Sequence, residues 1–158
     1  FMFEWLEYSI LSIWVGESLW GYPIMLSIHV IGLAIVVGIF TVFNFRILGL
    51  FESIEYIAFV DFFKLAWFGL ILNASSGFAL FSSQATIFVT NTPFLVKISA
   101  ISLGSILAFF IQSRLRVYAH DWDSQISKPS KKDLWFARTS LFLWVSAIFG
   151  GRLIAYYL

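Results

Sequence analysis

Long apolar runs separated by short polar ones set the rhythm of this chain. Four segments, Pro23 to Phe45, Phe59 to Phe81, Phe94 to Ile111 and Trp135 to Tyr157, consist mostly of aliphatic, aromatic and small residues. A helix needs about 20 residues to cross roughly 30 Å of hydrocarbon, so each run predicts one transmembrane helix. The pattern therefore predicts an all-α fold, a four-helix transmembrane bundle forming one integral membrane domain over residues 1–158. Pro23 and Pro93 fall at or just before the first turn of the first and third spans, where a missing amide hydrogen costs nothing.

Residues 1–20 are too short and too polar to cross. Glu4, Glu7 and Ser18 fall on one side of a helical wheel, with Phe3, Leu6, Ile10, Ile13 and Trp14 mostly on the other. Trp5, Trp14 and Trp20 suit the headgroup zone, so an N-terminal amphipathic helix lying in the interface is expected. Of the connections, Leu48 to Glu55 is short, with Gly49 available as a stop. Residues 82–92 are uncharged and predict a short surface loop, and Tyr118 to Asp133 is the one clearly water-facing stretch. Helices one and four share no pattern beyond glycine and aromatics, which gives no support to an inverted-repeat transporter.

Composition agrees with the pattern. At 60% hydrophobic and 12% charged residues, the chain lacks the polar side chains to coat a soluble domain, and the bilayer must cover the rest. A net charge of +1 gives no reason to expect nucleic acid or an acidic substrate. Cysteine is absent, which excludes disulfides, thiolate metal sites and thiol catalysis. Glu4, Glu7 and Glu17 stand where a cleavable signal would carry Lys or Arg, so none is expected. Arg114, Arg116, Lys128, Lys131, Lys132 and Arg138 flank the third connection, and Arg46 and Lys64 flank the first. The N-terminus and the second connection have no basic residue apart from Lys97, just inside the third span. Connections one and three are therefore expected on the cytoplasmic side and both termini outside.

The candidate chemistry centres on His29, the sole histidine in the apolar part of the chain. An imidazole in hydrocarbon is unfavourable and marks a functional site by default. With a rise of about 1.5 Å per residue, His29 and Arg152 both lie roughly 9 Å inside the outer boundary. Lys97 is somewhat shallower, and Asn73 and Ser76 slightly deeper. A b-type haem uses such a set: an imidazole nitrogen on iron, an apolar aromatic slot and cations for two propionates. His29 would be the axial metal ligand, Arg152 and Lys97 the propionate partners, and Gly32 a point of close backbone approach. No second membrane histidine lies at that depth, so the iron would be five-coordinate, completed by another side chain, or shared by His29 from two protomers.

Plainer readings stand beside this one. His29 can simply hydrogen-bond across helices to Ser76 or Asn73, Lys97 and Arg152 can snorkel to the headgroups, and the glycines can serve packing alone. Asp61 and Lys64, three residues apart, suit a helix-surface pair. Metal clusters, nucleophilic triads and phosphate loops have no recognisable pattern.

Ser27-Ile28-His29-Val30-Ile31-Gly32, Asn44-Phe45-Arg46-Ile47-Leu48-Gly49, Lys64 to Gly69, Asn91 to Lys97 and Gly151-Arg152-Leu153 resemble a family of small four-helix bacterial inner-membrane proteins. The resemblance implies the fold and a multi-pass place in the bacterial inner membrane, and no activity; the periplasmic placing of both termini comes from the basic residues alone. More distantly, the histidine and terminal arginine resemble four-helix b-type cytochromes and copper-resistance membrane proteins, from which the chain departs in lacking their second membrane histidine. The expected function is haem b binding with an electron-transfer or redox-sensing role on the periplasmic side, rather than stand-alone enzyme activity. The alternative is a structural or accessory subunit that binds lipid, quinone, pigment or partner helices. Either suits a homo-oligomer or a member of a larger membrane complex.

Overall fold

Apolar length decides the architecture. The computed structural model describes residues 3–156 and folds into α1 (Glu4–Glu7), α2 (Ile10–Glu17), α3 (Gly21–Ile47), α4 (Ala58–Ser82), α5 (Ala85–Phe88), α6 (Thr92–Asp123) and α7 (Lys131–Leu153), closed by a 3₁₀ turn, Ile154–Tyr156. Among the described residues there is no strand. The helices α3, α4, α6 and α7 are long and apolar enough to cross a membrane, which makes the chain a multi-pass membrane protein with a four-helix bundle. The expected fourth span reached Tyr157, which lies outside the described residues.

Local chemistry explains where each helix stops and starts. The α3 helix ends as a Schellman motif: Gly49 adopts φ +93°, and the Leu50 amide donates to the Phe45 carbonyl at 2.9 Å. The Asn91 side chain caps α6 by accepting from the Phe94 amide at 3.0 Å, with Pro93 in the first turn. Ser130 and Asp133 form a capping box at the start of α7.

Three sequence expectations need correction. The stretch from Tyr118 to Asp133 is not one water-facing connection, because α6 continues helically to Asp123. Leu115, Ala119 and Trp122 recur at helical spacing and are buried, Trp122 meets the Tyr56 ring edge-on, and Asp123 accepts the Tyr56 and Ile57 amides at 2.7 and 2.9 Å. Residues 82–92 are not merely a surface loop: they hold α5, with Ala85 and Asn91 buried. The N-terminal segment is two short helices rather than one, broken at Tyr8 and Ser9. Its buried residues are Leu6, Ser12 and Val15, while Ile10, Ile13 and Trp14 stay exposed. Ser12 donates its hydroxyl to the Ser82 carbonyl at 2.8 Å, so α2 is fastened to the bundle.

The bundle is two helical hairpins laid side by side. The α3 helix packs most extensively on α4 and α6 on α7, while α3 joins the hairpins by packing on α7. Where α4 and α6 meet more sparsely, the Trp67 indole donates to Gln112 Oε1 at 2.7 Å. The middle of the core is aromatic: Phe40 stacks on Trp144 and abuts Phe63, and Phe43 abuts both Phe59 and Phe63. Polar side chains are buried above and below that layer. The helix sides facing away from the core carry residues such as Ile71, Phe109, Phe142 and Phe149.

Candidate functional site

Four helices bring side chains or backbone to one point near the end of the bundle that carries α1, α2 and α5. His29 comes from the early part of α3, Asn73, Ser76 and Gly77 from the late part of α4, Lys97 from the start of α6, and Gly150 and Gly151 from the end of α7. Close approach begins at Gly32, where an added methyl would lie 2.7 Å from the Asn73 amide nitrogen and 2.8 Å from the Gly69 carbonyl oxygen. The α3 and α4 backbones nearly touch here, and only glycine permits it.

That proximity places the imidazole. His29 is buried, and its Nδ1 lies 2.9 Å from the Asn73 carbonyl oxygen. A carbonyl can only accept, so Nδ1 carries the proton and Nε2 presents its lone pair. Asn73 returns the contact, donating from Nδ2 to the His29 carbonyl at 2.9 Å. The Ser76 hydroxyl lies 3.3 Å from Nδ1. A methyl at Gly77 would lie 2.9 Å from His29 Cε1, so this glycine seats the ring edge.

Lys97 completes the cluster by donating from Nζ to His29 Nε2 at 3.0 Å. Its stem runs past α7, where a methyl at Gly151 would meet its Cδ, Cε and Nζ at 3.4 to 3.6 Å. At Gly150 an added methyl would lie 3.2 Å from the Pro93 carbonyl oxygen, so the α6 and α7 backbones are also closely apposed. Lys97 does not snorkel outward as a lone headgroup anchor. It spans from one hairpin to the imidazole of the other.

Of the residues expected at the site, His29, Gly32, Asn73, Ser76 and Lys97 therefore meet. Arg152 does not: its side chain is exposed, and no hydrogen bond or ion pair joins it to the described residues. Gly77 was expected only to serve packing, and its contact with the ring makes it a site residue. Among the described residues, no three His, Asp or Glu side chains gather as a metal-binding group.

Sequence reasoning missed a second polar cluster at the opposite end. Arg114 grips both carboxylate oxygens of buried Asp133, whose Oδ2 also accepts the Ser130 amide and hydroxyl, each at 2.7 Å. Asn44 donates from Nδ2 to Ser140 Oγ at 2.9 Å and lines, with Arg114 and Asp133, a cavity of about 10 Å³. Arg114 and Asp133 signalled themselves only as polar residues near span ends, a position that the positive-inside pattern explains without a partner. No protein-family model, no curated protein and no solved structure matches the chain.

Proposed function

We propose that the chain is a non-catalytic accessory subunit of the bacterial inner membrane, in which the His29 cluster ties the two helical hairpins together. The observation that carries this reading is the 3.0 Å contact between Lys97 Nζ and His29 Nε2. It uses the lone pair that an external ligand would require. With Nδ1 bonded to Asn73 and Gly77 at the ring edge, the imidazole is satisfied by the protein itself. What the molecule offers outward is apolar helix surface, including Ile71, Phe109, Phe142 and Phe149, suited to lipid and neighbouring helices. The basic residues around connections one and three support a cytoplasmic place for those connections and a periplasmic one for both termini.

One observation favours haem b as a second reading. An imidazole whose Nδ1–H is held by a carbonyl is oriented as metal-ligating imidazoles are, with Nε2 forward. The present packing does not fit the macrocycle. It would stand where Lys97 stands, between backbones already apposed at Gly32 and Gly150 and beside a ring seated on Gly77, and the exposed Arg152 side chain makes no hydrogen bond to the cluster.

Absorption spectroscopy and unfolding separate the two. Protein purified from haem-replete cells is expected to show no Soret band. His29→Gln and Lys97→Met are each expected to lower stability in a denaturing-detergent titration by about 1 kcal/mol. A dithionite-sensitive Soret band that disappears in His29→Ala would overturn the proposal in favour of haem. Unchanged stability in both variants would remove the tie.

A further inference from the structure

The face of the α6–α7 hairpin that turns away from the α3–α4 pair carries a groove of about 390 Å³. Leu103, Leu107 and Phe110 of α6 form one wall, and Phe136, Thr139 and Leu143 of α7 the other. Thr139 is the one polar residue in its lining. Membrane helices that meet without filling such a trough leave an apolar slot open to the surrounding hydrocarbon.

Helical register ties one end of the groove to charge. Phe136, Thr139 and Leu143 follow each other at spacings of three and four residues, and stepping back four from Phe136 reaches Lys132 on the same face. Lys132 lies about 6 Å along the axis from the end of the groove. Lys131 and Arg116 are also exposed at that end of the hairpin. Asp133, the adjacent acid, does not offset Lys131 or Lys132, because Arg114 and Ser130 already hold both of its oxygens. The result is a hydrocarbon slot with unneutralised cations at one mouth.

We infer that this groove is a binding site for an anionic glycerophospholipid, with one acyl chain along Leu107, Phe110, Thr139 and Leu143 and the phosphate at Lys131 and Lys132. Charge complementarity selects this occupant over a zwitterionic lipid, and the apolar slot makes it a seated molecule rather than a passing headgroup. Lysines near a membrane surface attract anionic lipid by an amount worth about fivefold in affinity each. The inference rests on the groove and the basic end alone and is independent of what His29 does.

Native mass spectrometry of the full chain tests it, with phosphatidylglycerol and phosphatidylcholine of identical acyl chains added after delipidation. The wild type is expected to retain one phosphatidylglycerol in preference to phosphatidylcholine. Lys131→Gln with Lys132→Gln is expected to erase the preference, and Thr139→Trp, which fills the slot, to lower retention of both lipids about tenfold. Lys64→Gln, an exposed lysine of the other hairpin, is expected to change nothing. Equal retention of the two lipids by the wild type would overturn the inference, as would a preference that survives the double lysine variant. A Thr139→Trp protein that binds lipid normally, or that only converts a dimer to a monomer, would show that the groove holds no lipid chain.

Discussion

Two glycines of α3 stand in different surroundings, and substitution at each has a different expected cost. A methyl at Gly32 would press on the backbone of α4, which cannot yield without parting the two helices. Gly32→Ala is therefore expected to lose about 1–3 kcal/mol, as overpacking does. At Gly38 an added methyl meets nothing within 4 Å. Gly38→Ala is accordingly expected to stay within about 0.5 kcal/mol of the parent. A denaturing-detergent titration of both checks the pair, and equal losses would refute the close α3–α4 approach. At this scale the sequence told depth but not direction. The rise per residue placed His29, Asn73, Ser76, Lys97 and Arg152 near one level, and the first four do meet. Arg152 fails because it comes two positions after Gly150, which faces α6, so its side chain leaves the helix about 200° away.

At the scale of elements, helix existence was legible and helix extent was not. Apolar length alone identified α3, α4, α6 and α7, since nothing else accommodates so many consecutive apolar residues. The last turns of α6 were hidden because His120, Asp121 and Asp123 read as loop, whereas one apolar face, through Ala119 and Trp122, suffices to keep the helix packed. The face buried by the N-terminal helices was hidden for a related reason. Ser12 and Val15, three residues apart on one face of α2, are buried where α2 packs on α3 and α4, and the larger Ile10 and Trp14 are left outside. That segment also has a charge-dependent fastening. Glu7 Oε1 accepts the Thr86 amide at 2.8 Å and the Thr86 hydroxyl at 2.7 Å, and these bonds hold its carboxyl below the ordinary glutamate value. An undocked Glu7 takes up a proton more readily, so the fastening is complete above that ordinary value and is lost as pH falls through the lowered one. The Thr86 amide resonance is expected to titrate with a midpoint below a free glutamate's and to stop titrating in Glu7→Gln. A midpoint at or above the free value would mean the carboxylate is not held.

On the scale of the whole molecule, the proposed orientation makes its two ends addressable from different compartments. The absence of native cysteine lets single thiols report on it. Gln84 and Ser124 are exposed in connections at opposite ends of the bundle. An impermeant maleimide is expected to label Gln84→Cys on intact cells and Ser124→Cys only after permeabilisation. The reverse result would invert the orientation and move the proposed lipid site to the other leaflet.

Between the two polar clusters, Phe40, Phe43, Phe63 and Trp144 close the cross-section with interlocked rings. These rings separate the two clusters, so a hydrated ion moving along the centre of the bundle would first have to part them. The His29 and Arg114 clusters thus stand on opposite sides of the aromatic layer, and no hydrogen bond among the described residues links one to the other.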